Sequence, residues 1–162
     1  MKRSVLAIAL ALAVTPAMAE VGPPQDVASR AQGAGKVVVA RVLDVRGQFE
    51  TNRFGDRLIM SHAVLEVLET LKGEPQAIVN MVVEGGSVGD LTLRVSDLPS
   101  LQTGERAVFF LDATASGEHV PHGRGLGVAM KLNGDRVANE NLSLDDVRQQ
   151  VRGAGAQGRG GR

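Results

Sequence analysis

The chain has no cysteine, tryptophan or tyrosine, and only four phenylalanines among 162 residues. Without cysteine there is no disulfide staple, no thiolate metal site and no thiol chemistry, so stability must come from a packed core. Sugar platforms and single-stranded nucleic-acid grooves rest on stacking against aromatic faces, and four phenylalanines offer little of that. An excess of either charge is missing too, with 18 basic residues set against 18 acidic. Nucleic-acid and anionic-membrane partners call for a basic surface, and both are excluded as expectations. Beyond the first fourteen residues no run is apolar enough to cross a bilayer.

The N-terminus carries a pattern of its own. Lys2 and Arg3 precede an apolar run from Val5 to Val14, and Ala17-Met18-Ala19 puts small residues where a signal peptidase reads. Residues 1–19 are expected to be a secretory signal peptide cleaved near Ala19-Glu20, sending the chain to the periplasm or outside the cell. Cleavage leaves 143 of the 162 residues and removes two basic residues and no acidic one. That length suits one domain with its own core. Residues 20–35, rich in Gly, Pro, Ala and Gln, read as a flexible leader. Residues 152–162, ending in "GAGAQGRGGR", read as a disordered Gly/Arg tail. The domain itself is expected over 36–151.

Within it, "KVVVARVLDV" (36–45) is short and β-branched, which predicts a strand buried on both faces. The polar stretch 47–57 reads as a loop or hairpin connection. Residues 58–73 fit period two and also period 3.6; a strand is favoured over a helix. "AIVNMVVE" (77–84), the alternating "LTLRVSD" (91–97) and "RAVFFLD" (106–112) read as further strands. Segments 126–132 and 136–139 flank Asn133-Gly134-Asp135, a hairpin-turn signal. Ser143 caps a short helix whose first turn holds Asp145 and Asp146, and Asp146 sits where a capping-box acid reaches back. The expected fold is all-β: a small OB-like barrel or sandwich of six to seven strands with one short C-terminal helix.

Gly85-Gly86-Ser87-Val88-Gly89 matches the G-x-S-x-G pattern of a nucleophile elbow, and the chain order Ser87, Asp97 or Asp112, His119 or His122 matches that of the α/β-hydrolases. An elbow needs a helix directly behind its serine. Here the following residues alternate and Pro99 ends the segment, so the glycines are read as supplying positive φ between two strands. The segment also lacks the Gly-Lys-Ser/Thr of a phosphate loop. His119 and His122 are spaced to share a metal only if a third ligand, such as a carboxylate, comes from elsewhere. His62 and Glu66 would be neighbours on a helix, but on a strand lie about 13 Å apart at roughly 3.3 Å per residue. Glu105 and Arg106 are read as flanking a turn. No cofactor is called for. Gly85, Gly86, Ser87, Gly89 and Asp90 remain as a candidate binding loop.

"VLETLKG" (67–73), "VVEGGSVGDLTLRVSDLPSLQTGERAVFFLD" (82–112), "HGRGLGV" (122–128) and "LSLDDVRQQV" (142–151) follow one another in an order that resembles a family of exported bacterial domains. That family is similar in outline to the OB-type barrels of netrin-like domains and tissue inhibitors of metalloproteinases. The resemblance implies such a barrel and, through members that adjoin secreted metalloproteases, an inhibitor or companion of an exported protease. The inhibitors chelate the protease metal through a disulfide-pinned N-terminal cysteine, a device that this cysteine-free chain cannot use. The family's aromatic near 126–132 is replaced by Leu126-Gly127. The resemblance brings no catalytic residue with it. Three functions follow as expectations: a non-catalytic module binding an exported protein or envelope component, a small hydrolase using Ser87 or a histidine-held metal, and a metalloprotease companion. For the first, an exposed sheet edge or the Gly-rich loop is the expected contact surface.

Overall fold

The structure is a computed structural model and describes residues 26–52, 54–96, 98, 100–123, 129–138 and 140–157. The expected signal peptide, the start of the leader, Asp97, residues 126–128 and the last five residues of the tail lie outside these.

Among the described residues, nine strands form in the order β1 (Lys36–Thr51), β2 (Arg57–Lys72), β3 (Ile78–Glu84), β4 (Gly86–Val88), β5 (Leu91–Leu93), β6 (Arg106–Ala113), β7 (His119–Pro121), β8 (Ala129–Asn133) and β9 (Arg136–Val137). The ladder β1-β2-β3-β7-β6 returns to β1, because β6 also pairs with β1 from Lys36↔Leu111 to Arg41↔Arg106. Five strands thus close into a small barrel, within the all-β fold expected. Every contact in the ring is antiparallel except β3–β7, which is parallel and rests on the single pair Met81↔His119. β8 and β9 extend the sheet beyond β6, and β4 and β5 form a separate two-stranded hairpin.

Two buried clusters share the ring wall. Val38, Ala40, Val42, Leu65, Met81, Phe109 and Leu111 fill the barrel interior. Val37, Val39, Val108 and Phe110, the alternate residues of β1 and β6, face outward into a second core with residues from helices α1 (Val27–Gly33) and α2 (Leu144–Gln157). The unbroken apolar runs at 37–40 and 107–111 therefore read as they do because both faces of these strands are covered. Residues 58–71 are strand, inside β2, which pairs with β1 and β3.

Three expectations are corrected. The flexible leader does not extend over 27–34. Asp26 caps α1 by accepting from the Ser29 N–H at 2.7 Å, and Val27, Ala31 and Ala34 are buried. The other end of α1 is held from a distance. The Lys72 ammonium donates to the carbonyls of Ala31 (2.6 Å), Gln32 (3.1 Å) and Ala34 (2.6 Å), placing a full positive charge where the helix leaves its carbonyls unpaired. The described residues thus include two helices. The tail also begins later than expected, since α2 continues to Gln157 and buries Val151 and Ala154 in the outer core. Its start is as read: the Ser143 N–H donates to the Asp146 carboxylate at 2.9 Å and the Asp146 N–H to Ser143 Oγ at 3.1 Å.

The third correction concerns 47–57. The connection is a hairpin, but only 52–56 form its turn; Gly47–Thr51 pair with Arg57–Ser61. The Asn52 side-chain oxygen accepts from the N–H groups of Phe54 and Asp56, both at 2.9 Å, and so closes the turn locally. The paired strands form an arm that continues past the β1–β6 contact, which ends at Arg41.

Candidate functional site

The glycine block builds one wall of a cleft. Gly85 and Gly86 sit at φ of 98° and 121°, a region closed to most side chains, and there the chain turns out of β3 into β4. Gly89 (φ 56°) and Asp90 make the turn into β5, where Ser87 pairs with Thr92. The hairpin then lies across the arm at the cross-strand pair Gly47↔Ser61. A β-carbon on Gly47 would collide with the Ser87 carbonyl, and one on Gly86 with Ser61 Oγ. The buried Ser61 hydroxyl donates to the Gly85 carbonyl at 2.7 Å. Two glycines and one serine are therefore the seat of the hairpin. Gly47→Ala is expected to lower stability by about 1–3 kcal/mol through overpacking, although alanine is the better strand former. Urea unfolding reads the change.

Above the seat is a cleft of about 610 Å³. Val45, Gly47 and Ser61 line it from the arm, and Gly85–Ser87, Thr92 and Leu93 from the hairpin. Leu98 and Ser100–Thr103 line it from the segment leading to β6. Its lining mixes hydroxyls, the Gln102 amide and the charged Glu84 and Arg94 with aliphatic groups. Of the candidate binding loop, Gly85, Gly86 and Ser87 line the cleft; Gly89 and Asp90 lie at the exposed turn. The glycines at 85, 86 and 89 adopt the positive φ read from the sequence.

No helix follows Ser87. Its hydroxyl is 2.8 Å from Thr92 Oγ1, on the neighbouring strand. Of the other members of the Ser…Asp…His series, Asp112 and His122 pair with each other, while the Ser87 hydroxyl is held by Thr92. Asp112 accepts from the Gly35 N–H at 3.0 Å and lies 2.7 Å from His122 Nδ1, beside the end of α1. The ring of His122 lies against Gly33, where a β-carbon would meet it. His119 is buried at the β3–β7 contact and bonds the Asn80 backbone carbonyl, while its Nδ1 has no partner among the described residues. Each histidine is thus engaged by a different neighbour. Among the described residues, no group of three or more His, Asp or Glu side chains is placed to hold a metal.

Burial, and then the charge of Lys36, hold the His119 ring below the usual histidine pKa. The folded chain thus keeps this ring neutral at a pH where the unfolded chain protonates it. Stability is full above the ordinary histidine value of 6.5 and falls as pH drops below it, until the folded ring also charges. His119→Gln should flatten that part of a stability–pH profile, which denaturant melts at a series of pH values will show.

His62 and Glu66 do not meet, as strand spacing requires. Glu66 pairs with Arg41 at 3.5 Å, and His62 bridges Glu50 through Nε2 and Glu118 through Nδ1 (3.4 Å). Gln48 donates to Glu50, and its amide nitrogen lies 3.0 Å from the His62 ring. The Gln48 hydrogen bond, then that of His62, pull the Glu50 carboxyl below its usual pKa. The two carboxylates grip opposite ring nitrogens, so they do not converge on a point where an ion would sit. Sequence spacing gave no sign of this cluster, because the pairing of β1 with β2 assembles it. Glu105 flanks the turn before β6, as read, and holds Lys131 of β8 at 2.6 Å.

Comparison with protein-family models and with curated proteins returned no match.

Proposed function

We propose that this chain is an exported, non-catalytic binding module that takes up a protein partner at the cleft beside Gly85–Ser87. One observation carries the reading. The block that resembles a nucleophile elbow instead forms the wall of a cleft of about 610 Å³, with the Ser87 hydroxyl engaged by Thr92. A mostly pre-formed recess with mixed polar and aliphatic lining is the usual form of a recognition site. Export follows from the N-terminal pattern of residues 1–19 and sets the class of partner: another exported protein or an envelope component. The reaction classes weighed against it need a base within hydrogen-bond reach of a nucleophile, and Ser87 has no such base among the described histidines.

A photo-crosslinking side chain placed at Gln102, on the cleft wall, should give a discrete adduct in cells that make the protein. The same group at Ala115, in the β6–β7 connection, should not. Equal adducts from both positions would overturn the reading. So would fluorophosphonate labelling that is lost in Ser87→Ala, which would return the chain to the serine hydrolases.

A further inference from the structure

The arm leaves one strand edge open. Val42 sends its N–H to the Glu105 carbonyl at 2.9 Å and its carbonyl accepts from the Gly104 N–H at 2.8 Å, so both groups point away from β2. After the one-residue bulge between Val42 and Asp44, strand alternation turns the backbone groups of Val45, Gly47, Phe49 and Thr51 to that same edge. At the far end the Asn52 N–H bonds the Asp56 carbonyl inside the turn, which gives the same phase. Among the described residues, no backbone hydrogen bond leaves this edge beyond Val42. The edge from Val45 to Thr51 contains no proline and no lysine, the residues that most often guard such an edge.

The side chains along this edge are self-complementary. In an antiparallel pairing of the segment with itself about Gln48, Arg46 of each copy faces Glu50 of the other. Asp44 faces Asn52, and Phe49 faces Gly47. Moving the centre to Gly47 sets Asp44 against Glu50, a like-charge clash; moving it to Phe49 leaves Arg46 facing Asn52. Charge thus selects one register, and that register is two-fold symmetric. It also sets Phe49 of each copy beside the other copy's hairpin seat, where Ser87 already covers Gly47. The aromatics are distributed to match. Phe109 and Phe110 are fully buried, whereas the other two of the chain's four, Phe49 and Phe54, are both on the arm and exposed.

We propose that the occupant of this edge is a second copy of the chain, joined arm to arm through Val45–Thr51 in the register centred on Gln48. The contact is isologous and closed, so it uses up the edge on both copies and leaves none to propagate. The proposal is argued from the arm, but its seam begins at Val45 and Gly47, which also line the cleft, so pairing and partner uptake share these two residues.

Sedimentation equilibrium of the purified protein should show a reversible monomer–dimer equilibrium. Arg46→Glu and Glu50→Arg should each weaken it by roughly tenfold or more, since the two-fold axis doubles every unfavourable pair. The double variant Arg46→Glu/Glu50→Arg should restore it. Thr51→Pro should abolish it, because it removes an outward N–H and leaves the ladder to β2 intact. Circular dichroism of each variant separates loss of pairing from loss of fold. A monomer at all concentrations overturns the proposal. So does a dimer that the single charge swaps leave unchanged, or one that the double swap fails to restore. Capture of a foreign peptide along the edge in place of a second copy would overturn it as well.

Discussion

Phe109→Ala and Phe110→Ala are each expected to cost about 3–5 kcal/mol, yet to damage different halves of the molecule. Both rings are fully buried, and they are neighbours in β6. Strand alternation sends Phe109 into the barrel with Val38, Leu65 and Met81, and Phe110 outward to the core shared with α1 and α2. Denaturant melts give the total loss for each variant. Hydrogen exchange separates them: Phe109→Ala should deprotect the ring strands, and Phe110→Ala should first deprotect Val27–Gly33 and Leu144–Gln157. Equal deprotection of both regions by both variants would mean that the two cores act as one cooperative unit.

Lys72→Met is expected to lower stability by about 2–3 kcal/mol and to free the N-terminal helix. Methionine keeps most of the aliphatic stem but donates to none of the three carbonyls that Lys72 now holds. A charge-assisted hydrogen bond is worth about 1.5–3 kcal/mol, and bonds made by one ammonium do not add in full. The helix has only seven residues, too few to persist unaided. Limited proteolysis should therefore cut near Arg30 in the variant well before the barrel unfolds. Unchanged protection of that bond would show that Val27 and Ala31, packed in the outer core, hold the helix without the lysine.

What the sequence disclosed and what it hid divide along physical lines. β1 and β6 were legible because burial on both faces demands an unbroken apolar run, and Val37–Ala40 and Ala107–Leu111 supply one. The Gly85–Gly89 block was legible as a turn because the residues after it alternate as a strand does. The first helix was not legible, since its composition is that of a linker and its C-terminal support comes from Lys72, far along the chain. The outer part of the arm, 47–57, was read only as a loop or hairpin connection because its strands run past the ring, where polar residues such as Gln48 and Glu50 replace the apolar pattern. The cleft was half legible: its hairpin wall came from the glycines, whereas nothing in Leu98–Thr103 marked the opposite wall. The His62–Glu50–Glu118 cluster depends on strand register, which no single segment encodes.

The way the ring shuts sets the order of assembly. Lys36 pairs with Leu111, so the first strand of the ring must wait for most of the polypeptide before it gains its second neighbour. The β1–β2 hairpin is local and forms early, whereas closure carries a large loop-entropy cost that no cross-link offsets. During synthesis the early product is a two-stranded ribbon with its apolar residues uncovered. A chain cut anywhere between Lys72 and Arg106 would hold the whole ribbon and no ring.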